Sequence, residues 1–159
     1  MISCVFENGN NATRGLRHVT VGAIAVNDDK QVLLVRRARN MHNGGKFTIP
    51  GGLLDRDEDI AQGTLRELKE ESGYDGEIVS LFRVNDNPNR PKEDRQNVDF
   101  IYIIKVVGGA PMINEEVTSI LWYSKDKLPK EEEFAFDHRD SILKYFEYLD
   151  KKFPLPIIG

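Results

Sequence analysis

Several kinds of residue and segment are scarce in this sequence. Its one cysteine, Cys4, excludes an internal disulfide and a metal site built from several cysteines. This cysteine usage suits a reducing compartment, so we expect a cytoplasmic protein. The three histidines, His18, His42 and His138, are too scattered to show metal-ligand spacing. The net charge is −4 and no basic tract stands out, so no nucleic-acid partner is expected.

Long apolar runs are also missing. No run approaches the roughly 18 residues of a membrane-spanning helix, and residues 1–16 have no apolar signal segment, so no membrane association is expected. A chain of 159 residues, 40% hydrophobic and 30% charged, fits a single domain over residues 1–159. The first 15 residues predict a frayed start, and the tail PLPIIG is either docked or disordered. The oligomeric state is left open, a homodimer included.

Alternating β-branched residues, turn residues and helical spacing predict a mixed α/β protein. We place Asp137 at the N-cap of the last helix and Gly73 at the C′ position of the first. The predicted strands are His18–Val26, Gln31–Arg37, Lys46–Ile49, Glu77–Val84, Val98–Val107 and Thr118–Ser124, and the predicted helices are Asp57–Ser72 and Asp137–Lys152.

The most informative stretch covers residues 50–74 and reads PGGLLDRDEDIAQGTLRELKEESGY. On a helix, Glu67, Glu70 and Glu71 fall within roughly 100° of one another and so share one face. Three like charges at this spacing repel, whereas a hard divalent cation prefers carboxylate ligands. The segment therefore predicts a Mg²⁺ or Mn²⁺ site at the surface. A different face carries the apolar residues Ala61, Leu65 and Leu68.

The fragment RELKEE alone is typical of a solvated helix face, but its surroundings are specific. Gly52 is followed after five residues by Glu58, and after seven more by the run Arg66–Tyr74, which reads RELKEESGY. This pattern resembles the signature of the Nudix hydrolases at every fixed position except Tyr74, where the family prefers an aliphatic residue. The flanking sequences LLVRR, FTIPGG and EEVTSILWYSKDKLP extend the resemblance to roughly residues 18–130.

The resemblance implies a fold and a chemistry. The fold is the Nudix α/β/α sandwich, with a mixed sheet between helices. Family members cleave a nucleoside diphosphate linked to another moiety, with Mg²⁺ or Mn²⁺ as cofactor. Arg66 then orients the catalytic Glu67 with support from Glu58, and Glu67 is either a metal ligand or the general base. The implied metal ligands are the Gly51 carbonyl, Glu67, Glu70, Glu71 and Glu116.

Other candidate functional residues lie outside the signature, and most of them also have a purely structural explanation. Glu116, with Glu115 second, resembles a further acidic ligand of the family, but a turn charge explains either equally well. The polar loop 86–96 is a candidate substrate-facing segment. We expect His138 to help cap its helix. The arginines after the second strand are expected to be solvated: Arg36, Arg37 and Arg39. The aromatic residues that either hold a base or fill the core are Phe6, Phe47, Tyr102 and Phe134.

Three functions compete. The first is hydrolysis of ADP-ribose or a nucleoside diphosphate sugar, which GKFTIPGG and FAFDHRDSIL favour by their similarity to the ADP-ribose pyrophosphatase-like branch. The second is a nucleoside triphosphate pyrophosphohydrolase that removes damaged nucleotides. The third is a catalytically silent ligand-sensing module, which the intact Glu67, Glu70 and Glu71 disfavour. In the first two, the partner is a small-molecule nucleotide.

Overall fold

The computed structural model describes residues 17–92 and 96–159, together with the backbone of residues 4–5 and 11–12. The prediction of a frayed start and the aromatic candidate Phe6 lie outside the described residues. Within the described part of the chain, no helix is both long and apolar enough to cross a membrane.

The described residues form ten strands and two α-helices, with short 3₁₀ turns at Lys125–Lys127 and Glu131–Glu133. The strands are β1 (Cys4–Val5), β2 (Asn11–Ala12), β3 (His18–Val26), β4 (Val32–Arg37), β5 (Phe47–Thr48), β6 (Gly51–Leu53), β7 (Tyr74–Asn85), β8 (Asn97–Gly109), β9 (Val117–Tyr123) and β10 (Ile157–Ile158), and the helices are α1 (Ile60–Ser72) and α2 (His138–Asp150).

The main sheet is mixed, as predicted, and it has eight strands, two more than the sequence predicted. Its order is β10-β7-β8-β3-β4-β5, with β6 pairing beside β3 and β9 beside β4. β3 runs parallel to β8, while β7 pairs antiparallel with β8. β3 and β4 share only the Val26–Val32 pair of their hairpin. Beyond that pair, β6 takes the place beside β3 at Thr20–Gly22.

Both faces of the sheet are covered, which confirms the α/β/α sandwich. Because side chains alternate along a strand, Ala23 and Ala25 of β3 face one side while Ile24 faces the other. The alanine side packs against α1 through the buried Leu68, with Ala61 and Leu65 partly buried beside it. The opposite side packs against α2 through Ile142, Tyr145 and Phe146.

Helix α1 begins at Ile60 and not at the predicted Asp57. Asp59 is the N-cap, and its carboxylate accepts hydrogen bonds from the backbone N–H groups of Ala61 and Gln62. The Gln62 side chain accepts from the Asp59 backbone in return, which completes a capping box. At the other end the C′ prediction is confirmed: Gly73 has φ 77° and its N–H donates to the Lys69 carbonyl.

Several other boundaries differ from the predictions. β7 begins at Tyr74 and not at Glu77 because the chain enters the sheet directly from the Gly73 cap. The prediction missed β6, whose two glycines carry no strand signal. The tail is docked: Ile157 and Ile158 form β10, parallel to Arg83 and Val84 of β7. The partly buried tail residues that pack on the α2-side core are Phe153, Leu155 and Ile157.

Candidate functional site

A cavity of about 420 Å³ opens where several element ends meet. One wall is acidic and comes from α1 and the segment before β9. A second wall comes from the first residues of β3 and β8 and from the start of α2. The residues that line the cavity include Thr20, Arg37, Gly51, Gly52, Glu67, Glu71, Arg90, Asn97, Asp99, Glu116, Phe136 and His138.

Arg66 organises the acidic wall. Its Nε and Nη2 atoms donate to the two carboxylate oxygens of Glu58 at 3.0 and 2.7 Å, a bidentate pair. Its Nη1 donates to Glu67 at 2.8 Å and to Glu70 at 3.1 Å. The hydrogen bonds from Arg66 lower the pKa of Glu58 to about 2, so this carboxylate stays ionised. Glu58 therefore fixes the guanidinium, and the guanidinium fixes Glu67.

The three helical carboxylates differ in exposure, so the prediction that all three lie at the surface is wrong. Glu70 is 58% exposed, whereas Glu67 is 13% exposed. Glu71 is buried and accepts a hydrogen bond from the Gly51 N–H at 2.9 Å. Burial raises the pKa of Glu71 to about 8, and the nearby charges of Glu67 and Glu116 act in the same direction.

Burial also raises the pKa of Glu67, against the opposing effect of Arg66. The negative charges of Glu70 and Glu116 add to the rise in this pKa. A carboxylate with a raised pKa is a better proton acceptor near neutral pH than an exposed one. The acidic wall thus holds charges that the protein alone compensates only in part.

Two glycines allow this packing. A Cβ on Gly52 would lie 2.5 Å from Glu67 Oε1, closer than real contacts permit. A Cβ on Gly63 would lie 2.8 Å from Glu58 Oε1 and 2.9 Å from Leu54 Cδ1. Close packing therefore accounts for a glycine at position 63, although a helical glycine costs up to about 1 kcal/mol relative to alanine.

The predicted metal-site residues are partly gathered. Gly51, Glu67, Glu71 and Glu116 line the same cavity. Glu70 is not among the lining residues, and its carboxylate accepts a hydrogen bond from Arg66, one helical turn earlier. Glu115 is not among the lining residues. Over residues 17–92 and 96–159, no three acidic, histidine or cysteine side chains are arranged to hold a metal ion as they stand. The assignment of these residues as ligands stays a prediction.

The second wall is a buried polar cluster around Asp99, a residue that the sequence analysis did not identify. Asp99 of β8 accepts from the Thr20 hydroxyl at 3.0 Å and from Arg90 Nη2 at 3.3 Å. Arg90 also donates to Asp137 at 2.7 Å. The available signal was the pair Asn97 and Asp99, at alternate positions where a mostly apolar strand begins, which places both on one face.

Asp137 is the N-cap residue of α2, as predicted, but its carboxylate makes no capping hydrogen bond and accepts from Asn85 and Arg90 instead. The expectation that His138 helps to cap the helix is wrong: its Nδ1 lies 2.6 Å from the Thr48 hydroxyl, and its ring lines the cavity. Burial lowers the pKa of His138 to about 4, so the imidazole is neutral at pH 7.

Aromatic and cationic side chains complete the cavity. Of the base-holding candidates, Phe47, Tyr102 and Phe134 are all buried in the core. The aromatic ring at the cavity is Phe136, and the Arg37 guanidinium lies 5.5 Å from its centroid. Arg37 is thus part of the wall and not merely solvated.

The remaining candidate residues lie either on the protein surface or in the cavity wall. Arg36 is exposed, donates to the Gly45 carbonyl and lies over the Phe47 ring, while Arg39 is exposed. From the loop 86–96, Arg90 reaches the cavity, while residues 93–95 lie outside the described ranges.

Comparison with known proteins identifies the family. A family model described as the NUDIX domain matches residues 16–145. The chain belongs to the Nudix family. This Nudix protein is 28% identical over 123 residues to the ADP-ribose pyrophosphatase of Methanocaldococcus jannaschii, a match that covers 77% of this chain and 70% of that one. It is a Nudix pyrophosphohydrolase, acting on nucleoside diphosphates linked to another moiety.

Solved structures agree on the fold. A NUDIX hydrolase from Nitrosomonas europaea superposes with a TM-score of 0.81 at 24% identity, covering 95% of this chain and 81% of that one. The NUDIX domain of Shewanella oneidensis NrtR, complexed with ADP ribose, gives a TM-score of 0.66 at 26% identity, covering 86% and 90% of the two chains.

Proposed function

We propose that this Nudix protein is a Mg²⁺-dependent hydrolase that cleaves the diphosphate of ADP-ribose or a nucleoside diphosphate sugar and releases a nucleoside monophosphate. The observation that carries the proposal is the division of one cavity into an acidic wall and a polar, aromatic wall. Such a cavity matches a substrate in which a diphosphate is joined to a nucleoside, with the diphosphate at the acidic wall and the nucleoside at the polar wall. The named activity of the Methanocaldococcus relative and the ADP ribose bound by the NrtR domain support this substrate.

The acidic wall fits a divalent cation. Glu71 is a buried carboxylate with one oxygen on the Gly51 N–H, and Glu67 and Glu116 face it with like charge. Hard cations such as Mg²⁺ take carboxylate and carbonyl oxygens, so this donor chemistry suits them. We assign the metal to Glu70 and Glu71, with further ligands from Glu116 and the Gly51 carbonyl; of the two alternative roles of Glu67, we favour the general base. A bound metal of this kind neutralises diphosphate charge and acidifies water.

The chain's own residues supply orientation and proton transfer. Glu67 is our candidate for the base that accepts the proton of the attacking water, since its carboxylate is largely buried and its pKa is raised. Arg66 is a positioning residue, because it holds Glu67 and is itself anchored by Glu58. Arg37, a cation in the cavity wall, faces the region where an anionic substrate would lie.

A product analysis tests this function. The purified protein is incubated with ADP-ribose, nucleoside diphosphate sugars, dinucleotides and oxidised triphosphates, with Mg²⁺ or with EDTA, and products are identified by mass. We expect AMP from ADP-ribose in Mg²⁺ and none in EDTA. Glu67→Gln should lower turnover by about 10²–10⁴-fold. The exposed Glu77→Gln is the matched control and should retain wild-type turnover.

Two other outcomes point to the competing functions. Preferred cleavage of triphosphates with release of pyrophosphate would replace the substrate class and leave the metal site intact. Tight binding without turnover of any compound would identify a ligand-sensing module.

A further inference from the structure

The polar wall of the cavity holds two hydrogen-bond acceptors side by side. Asp99 Oδ2 and His138 Nε2 lie 4.0 Å apart, too far for a direct hydrogen bond. The Thr48 hydroxyl donates to the Ile49 carbonyl at 3.0 Å. With that hydrogen used, the short contact between Thr48 and His138 Nδ1 requires the ring to donate. A neutral imidazole that donates from Nδ1 accepts at Nε2.

The carboxylate half of this pair is fixed in place. Asp99 is buried, with Oδ1 bonded by the Thr20 hydroxyl and Oδ2 bonded by Arg90. Arg90 is itself tied to Asp137, the residue before His138. The two acceptors thus belong to one connected network and keep their separation. A single group with two N–H hydrogens fits between them, at about 2.9 Å from each.

An aromatic ring lies beside the pair. Phe136 is two residues before His138, and their ring centroids are 5.3 Å apart. Its backbone has φ 53°, a left-handed conformation that is costly for an aromatic residue. The strained backbone holds an apolar ring in the cavity wall, next to polar groups that accept hydrogen bonds.

We propose that Asp99 and His138 form a specificity-determining acceptor pair that recognises the exocyclic amino group of a nucleobase, with Phe136 as the adjoining apolar wall. Adenine fits this site, and hypoxanthine does not, because its carbonyl oxygen would face two acceptors. This inference rests on the proposed function, since it places the nucleoside of the substrate on the polar wall.

The direct test compares ADP-ribose with its hypoxanthine analogue, IDP-ribose, in the wild-type protein. A mispaired polar group costs about 1–3 kcal/mol, so we expect kcat/KM to favour ADP-ribose by about ten- to a hundredfold. Equal kcat/KM values would overturn the acceptor pair and leave the hydrolase function standing. Because this comparison uses only wild-type protein, it does not depend on the folding of any variant.

Equilibrium binding of AMP and IMP separates this inference from the proposed function. Calorimetry without metal is expected to show AMP binding at least tenfold tighter than IMP, even if no substrate is turned over. Equal affinities, or no binding of either nucleotide, would overturn the inference.

Two substitutions locate the selectivity. Asp99→Asn and His138→Gln each exchange an acceptor for a side chain that also donates, so we expect the ratio of AMP to IMP affinity to fall to within about threefold of unity. Asp28→Asn makes the same chemical change in an exposed turn, where the carboxylate is 94% exposed, and should leave the ratio unchanged. Folding of each variant is checked by thermal unfolding. A folded Asp99→Asn protein with the wild-type ratio would contradict the assignment.

Discussion

Glu71 has a carboxylate whose surroundings oppose its charge. It is buried, it has one hydrogen bond from Gly51, and Glu67 and Glu116 repel it. Its folded-state pKa of about 8 lies above the ordinary value of 4.5. The neutral form is therefore favoured on folding, and the associated stability is lost as pH rises from about 4.5 through 8.

Glu71→Gln should accordingly make the metal-free protein more stable and the enzyme less active. The amide keeps an oxygen for the Gly51 N–H but has no charge to bury. We expect a higher free energy of unfolding in urea at pH 7 with EDTA, and turnover lower by two or more orders of magnitude in Mg²⁺. Glu77→Gln is the exposed control. A less stable Glu71→Gln protein in EDTA would contradict this account.

His138 predicts a pH dependence of stability. Its pKa falls to about 4, mainly through burial, with Arg90 and Arg37 lowering it further and Asp99 and Asp137 opposing them. Between about pH 6.5 and 4 the unfolded chain binds a proton that the folded chain does not, so stability falls as pH falls. From pH 6.5 to 5 the wild type should lose about 1–2 kcal/mol more than His138→Gln, as measured by urea unfolding. Parallel pH profiles would show that the ring is not buried in its neutral form.

At the scale of elements, β6 and α1 are in contact through a glycine. A Cβ at Gly52 would collide with the Glu67 carboxylate, which is the far end of a side chain and not backbone. Gly52→Ala should therefore displace Glu67 with little effect on stability. Since a misplacement of about 1 Å can cost 10²-fold in rate, we expect turnover to fall by at least tenfold with the melting temperature nearly unchanged.

Gly108→Ala is the matched control for this substitution. Gly108 lies on β8, and the nearest atom to a Cβ at this position would be Asp75 Oδ2 at 3.7 Å, an ordinary contact. The Gly108→Ala protein should therefore have the same turnover as the wild type. If both glycine variants kept full activity, the position of Glu67 would not matter to catalysis.

For the whole molecule, a metal that binds the folded chain must raise its stability by mass action. Millimolar Mg²⁺ should raise the melting temperature of the wild type by about 2–4 °C for each kcal/mol that metal binding adds to the free energy of unfolding. Glu71→Gln should show a smaller rise. NaCl at matched ionic strength separates specific binding from screening. An equal shift in both proteins would place the metal away from Glu71.

The sequence by itself determined that three carboxylates of α1 share one helix face. Glu67, Glu70 and Glu71 lie within one helix, so the helical repeat fixes their common face before any tertiary contact forms. The bounds of β3 and the Gly73 cap were also predicted correctly, because strand alternation and helix capping depend on residues that are close in sequence. The spacing of the signature residues also predicted the Nudix family, which the match to the NUDIX domain model confirmed.

Only the tertiary structure decided the second wall of the cavity. Thr20 meets Asp99 because β3 and β8 are parallel neighbours, 79 residues apart in sequence. His138 reaches them from a helix packed on the far side of the sheet, and packing, not helix position, makes it neutral. Burial likewise distinguishes Glu71 from Glu70. The two residues are adjacent and have the same helix propensity, but only Glu71 is buried. Local geometry can be read along a chain, whereas desolvation and long-range pairing exist only once distant segments have packed together.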